Sequence, residues 1–142
     1  MTLPIDSDDY RFYKTLNEDV SVKPVSSTSD HWDIQMDNGD YVNVSGKESL
    51  WNAICIAIMT RYKELSTPLY DDFGCRVHEL VKANKSNMVK FEVELFITDA
   101  LEKMRRVQEV NDITVIEKDN GYHVDINVTS IDDNIVSGSV VL

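Results

Sequence analysis

Tyr122-His123-Val124-Asp125-Ile126-Asn127-Val128 alternates apolar and polar residues over four steps, the period of a strand with one buried face. His123, Asp125, Asn127 and Thr129 share the opposite face. Ile113-Thr114-Val115-Ile116 precedes this run, with Asn120-Gly121 as a hairpin turn between them. Asp132-Asp133-Asn134 then turns the chain into Ile135-Val136-Ser137-Gly138-Ser139-Val140-Val141-Leu142. These runs predict a three-stranded antiparallel meander after about residue 110.

Upstream the period is helical. From Ser86, apolar residues recur at three-and-four spacing through Val89, Val93, Phe96, Ile97, Ala100, Met104 and Val107. Lys90, Glu94, Thr98, Glu102 and Arg105 read as its solvated stripe. A second helix is predicted from Leu50, Trp51, Ile54, Ile58 and Met59 toward Leu65, with Pro68 marking its end. It is apolar nearly all round, the mark of a central buried helix. Ser45-Gly46-Lys47-Glu48 matches a capping box at its start. A third, short helix is expected over Arg76 to Ala83, stopped at Asn84.

Before the central helix, Trp32-x-Ile34-x-Met36 and Tyr41-Val42-Asn43-Val44 flank Asn38-Gly39, which predicts a tight β-hairpin. Residues 1–29 lack a sustained period; Tyr10, Phe12, Tyr13 and Leu16 precede an extended linker from Ser21 to Ser29. The reading is an N-terminal arm, flexible or ordered by a partner, followed by one domain over residues 30–142. The order of hairpin, three helices and meander is an α+β architecture.

Composition narrows the chemistry. The chain has 142 residues, 42% hydrophobic and 27% charged, which suits one folded domain. Its net charge of −11 argues against nucleic-acid backbones and anionic lipid as partners. Residues 1–44 carry net −6, residues 45–110 net zero and residues 111–142 net −5. No apolar run reaches the ~20 residues of a membrane span, and the N-terminus lacks the features of a secretion signal. Synthesis in the cytosol is therefore expected.

The two cysteines, Cys55 and Cys75, have no metal-ligand spacing, and Cys55 lies in an apolar helix. Reduced, core-packed thiols are expected, without metal or cofactor. Neither a phosphate-binding glycine loop nor a nucleophile-elbow motif is present. His78 beside Glu79 has no evident catalytic partner. A glycosidase would need two carboxylates across a cleft, for which Asp71, Asp72 and Glu79 are the candidates. Acid clusters in loops are ordinarily solvated, so no catalytic residue is assigned. Lys103, Arg105 and Arg106 form the one basic cluster, suited to a helix C-terminus or to a partner's carboxylate.

The ordered combination of these segments resembles the phage baseplate wedge and sheath-initiator family of contractile tails and related injection systems, the lysozyme-like baseplate wedge family. The matching stretches are Val44-Ser45-Gly46-Lys47-Glu48-Ser49-Leu50, the helix from Trp51 to Tyr62, the aromatic-glycine loop Leu69-Tyr70-Asp71-Asp72-Phe73-Gly74-Cys75-Arg76-Val77, and the helix leading to Arg106-Val107. The resemblance covers residues 30–142. The family often carries Glu-Pro-Arg before an apolar residue where this chain has Met104-Arg105-Arg106-Val107, so Arg106 alone matches.

The resemblance implies a structural protein of the virion tail baseplate, present in several copies in a ring. It would link the inner baseplate to the tail sheath and initiate sheath assembly by strand exchange. Implied partners are the tail sheath protein, other baseplate wedge proteins and inner tube or hub proteins. Arg105 and Arg106 would face the wedge. Ile135, Val136, Val140, Val141 and Leu142 would belong to the exchanged edge, because the final run has no charge or proline to protect it. The alternative is a cell-wall-degrading glycosidase carried in the baseplate.

Overall fold

A computed structural model describes residues 18–25, 31–65, 72–80, 86–118 and 121–142. Tyr10, Phe12, Tyr13, Leu16, Pro68, Asp71, Val81, Asn84 and Asn120 lie outside the described residues. Among those described, the elements in chain order are β1 (Glu18–Val20), β2 (Val22–Pro24), β3 (Trp32–Ile34), β4 (Met36–Asp37), β5 (Asp40–Tyr41), β6 (Asn43–Ser45), α1 (Gly46–Met59), α2 (Asn87–Glu102), β7 (Val107–Lys118), β8 (Gly121–Ser130) and β9 (Ile135–Val141).

The period-two run forms β8, the middle strand of an antiparallel sheet ordered β7-β8-β9. Tyr122, Val124, Ile126 and Val128 are buried, and Asp125 on the opposite face is exposed. Gly121, expected in the turn, is instead the first strand residue and pairs with Lys118. β7 is irregular, with register shifts between Val107 and Glu109 and between Val110 and Asp112.

Both helices cover the buried face of the sheet, α1 against β9 and α2 along β7. The core joins Leu50, Ile54 and Ile58 of α1 to Val93, Ile97 and Leu101 of α2 and to the inward residues of β8 and β9. Trp51 packs so closely over Gly138 that any side chain there would overlap its ring. The predicted central helix is thus real, but it stops at Met59 rather than continuing toward Leu65. Thr60 turns extended, and the chain then pairs with the segment before Arg76. Cys75 N–H donates to Thr60 O (2.9 Å) and Tyr62 N–H donates to Cys75 O (3.1 Å). Gly74 makes this possible, because it has φ +105° and a Cβ would lie 2.6 Å from Arg61 O.

Among the described residues two α-helices are present where three are predicted. The described part of the segment from Arg76 is a 3-10 turn, Arg76–Glu79. It is pinned at both ends, by the Cys75 pairing and by Leu80 N–H to Val77 O (3.0 Å), while Val77 is sunk in the core. So short a segment cannot offset helix nucleation, and tertiary contacts dictate the tighter turn.

The N-terminal strands form a three-way junction rather than a single hairpin. β4 and β5 make the predicted tip, with Asn38 at φ 50° and Gly39 at φ 80° as the turn requires. Below the tip the arms diverge, β3 pairing with β2 and β6 with β1. Residues 18–24, assigned to the N-terminal arm by the sequence, supply those two strands. At the centre Ser21 N–H donates to Val42 O, Val42 N–H to Gln35 O, and Gln35 N–H to Ser21 O, at 2.7, 3.1 and 2.8 Å. The capping box does not form: Ser45 precedes the helix but makes no side-chain cap bond, being engaged as a strand residue opposite Glu18.

Ile58 is 0% exposed between sheet and helices. Ile58→Ala is expected to lower unfolding free energy by ~2–5 kcal/mol in urea denaturation, the cost of an unfilled core cavity.

Candidate functional site at the edge of the terminal strand

Arg106 is a core residue of this chain, 4% exposed. Its guanidinium donates to Ser49 Oγ (3.2 Å) and Gly46 O (3.4 Å), and its carbonyl accepts from Ile131 N–H (3.0 Å). It therefore fastens the first turn of α1 to the β8–β9 connection. Arg105 beside it is exposed. The basic cluster divides: one arginine turns inward, and Lys103 pairs with Asp99 at 3.3 Å.

The other chemistry-bearing residues are also engaged. His78 Nε2 lies 2.8 Å from Ile58 O, and Glu79 pairs with Arg76 at 3.3 Å. Asp72 is exposed; Asp71 lies outside the described residues. Cys55 and Cys75 are free and buried. Burial pushes the Cys55 thiol up to about 12 and the Cys75 thiol up to about 11, so neither is a nucleophile near neutral pH. Among the described residues no group of three or more His, Cys, Asp or Glu could hold a metal ion.

β9 presents a different kind of site. Tyr122 and Leu142 exchange both backbone hydrogen bonds (3.0 and 2.8 Å), and Ser130 N–H donates to Asn134 O (2.8 Å). With the β8–β9 register, antiparallel alternation directs the backbone of Val136, Gly138 and Val140 toward β8. The N–H and C=O groups of Ile135, Ser137, Ser139 and Val141 consequently point away from the sheet. No described strand pairs with that side. The side chains divide likewise, with Val136, Val140 and Leu142 buried and Ile135, Ser137 and Ser139 exposed.

Beside this edge runs a groove of about 420 Å³, walled by Ile135, Ser137 and Ser139 on one side and Val22, Lys23 and Pro24 on the other. Trp51, Lys47 and Glu48 also line it. The two walls are chemically unlike. Val22 N–H is taken by Asn52 Oδ1 (2.7 Å), and Pro24 has no N–H, so β2 is closed to pairing. β9 carries neither proline nor charge and stays open. The sequence located the edge; the closed wall depends on Asn52, which no local pattern marks.

A family model of the contractile injection system sheath initiator matches residues 26–133. The chain belongs to the sheath-initiator family. No curated protein matches it. The role it shares with that family is initiation of the sheath in a contractile tail or related injection system. In this sheath initiator the matched span contains Arg105 and Arg106 and stops short of β9.

Two outcomes test the site's foundations. Arg106→Glu should cost about 3 kcal/mol or more in urea unfolding, because a buried carboxylate would face the Gly46 carbonyl. Arg105→Glu, by contrast, should change stability by no more than ~0.5 kcal/mol. The thiols give a pH signature. Their folded values are raised above 9, so their contribution is complete below pH 9 and is lost as pH climbs toward 11–12. Unfolding free energy should therefore fall between pH 9 and 11, less steeply in Cys55→Ala, as followed by circular dichroism.

Proposed function

We propose that this sheath initiator is a structural, non-catalytic protein of the inner baseplate, in the lysozyme-like wedge branch of its family, and that it starts the sheath by strand exchange along β9. The observation that carries the reading is the asymmetry of the groove, where an open strand edge faces a closed one. A segment entering there can add to β9 through the outward backbone groups of Ile135, Ser137, Ser139 and Val141, and cannot add to β2. The tail sheath protein would supply that segment. Other wedge proteins and inner tube or hub proteins would hold several copies of the initiator in a ring. Arg105, exposed just beyond α2, would face a wedge partner, whereas Arg106 acts through the shape of α1.

The opposite edge supports the same direction of assembly. β7 carries Glu109, Asp112, Glu117 and Lys118, and its register shifts break a continuous ladder. It is protected in the two ways that β9 is not.

Parity along β9 sets the test. Val140 N–H faces β8, so Val140→Pro would disrupt the fold itself. Ser137 N–H faces outward, so Ser137→Pro removes a docking donor and leaves the internal ladder intact. Ser137→Thr preserves the donor. Tails assembled with each variant, after folding is confirmed by circular dichroism, should lack sheath in electron micrographs with Ser137→Pro alone. Sheathed tails of full length with Ser137→Pro would overturn the β9 docking mode.

A further inference from the structure

α2 is amphipathic toward the core and then apolar again on the side turned away from it. Met88, Phe91 and Leu95 are 73%, 63% and 52% exposed, while Val93, Ile97 and Leu101 are buried. At 100° per residue the three exposed side chains fall within about 60° of one another, a seam about 10 Å long. Polar residues are the physical expectation there. The flanks are acidic: Glu92 and Glu94 lie alongside, with Glu102 further along the helix. The two described lysines on this helix and at its end pair with other acids. Lys90 reaches across to Glu117 at 4.0 Å and Lys103 is held by Asp99.

We propose that this seam docks an amphipathic helix of another protein, with apolar residues at three-and-four spacing flanked by Lys or Arg. Helix-to-helix packing suits a stripe at i, i+3 and i+7, and the basic flanks follow from charge complementarity. A second copy of this chain is disfavoured. In either direction it would set Glu92, Glu94 and Glu102 against themselves, on a molecule of net charge −11. An anionic membrane would be repelled for the same reason. The site rests on α2 alone and stands or falls separately from strand docking on β9.

The test uses the full chain and three 18-residue peptides, read by fluorescence anisotropy. One carries Leu at three-and-four spacing with Lys elsewhere, the second the same Leu pattern with Glu, the third the Leu and Lys in scrambled order. The helical Leu/Lys peptide should bind, with the Glu and scrambled peptides at least tenfold weaker. Phe91→Ser/Leu95→Ser keeps every charge and should weaken that binding at least tenfold, with circular dichroism and melting unchanged. Equal binding by the double variant or by the scrambled peptide would reduce the effect to general charge attraction and overturn the site. So would absence of binding, or a dimer in sedimentation that the double variant abolishes.

Discussion

The buried amide of Asn52 holds the two halves of the molecule in register. Its Oδ1 accepts from Val22 N–H (2.7 Å), and its Nδ2 donates to Val20 O (3.0 Å) and Asp19 Oδ2 (3.3 Å). One side chain on α1 thereby stands in for a strand, satisfying β1 and β2 where they bend around Ser21. Pairs of two or three residues are too short to persist alone. They persist here because Ser21, Gln35 and Val42 close a ring of backbone bonds and Asn52 fixes that ring to a helix already committed to the core. Leaving such an amide buried without its partners would cost about 1–3 kcal/mol. The same contact closes the β2 wall of the groove, so the bond that anchors the junction also decides which strand is left open.

What the sequence made legible follows from the range of the interactions. The β8 alternation, the α2 stripe and the Asn38-Gly39 turn are set by residues within a few positions of one another, and each appears. Yet α2 ends at Glu102, and the expected helical positions Met104 and Val107 fall in the turn and strand beyond it. The deviations come from contacts far apart in the chain. Ser45 is drawn out of its capping role by Glu18, and α1 ends at Met59 because Cys75 captures Thr60 and Tyr62. Ser21 sits in a stretch with the composition of a linker, yet Val42 and Gln35 order it. Arg106 is the clearest case at the site. A basic cluster at a helix end reads as surface charge, and nothing local announces that Ser49 and Gly46, 57 and 60 residues away, receive its guanidinium. The exposed Met88, Phe91 and Leu95 were equally hidden, since the same helix has a stronger apolar period on its other side.

The terminal strand shows how one segment carries two instructions without conflict. Residue parity separates them. Val136, Gly138, Val140 and Leu142 turn their side chains into the core and, by the alternation of the ladder, their backbone groups toward β8. Ile135, Ser137, Ser139 and Val141 turn side chains outward and backbone groups to the open edge. Folding therefore constrains the even positions, where Gly138 must admit Trp51 and any larger residue collides. Docking by main-chain bonds constrains the odd positions only to keep an N–H and stay extended. Backbone bonds of this kind supply affinity without identity, because every partner strand offers them. Discrimination has to come from the side chains along the groove, where Lys23 and Trp32 face three further groups of size or charge, Trp51, Lys47 and Glu48. These last three belong to the first turns of α1, the part of the helix that Arg106 and Asn52 hold in place, so the buried polar contacts act on recognition through the position of that helix.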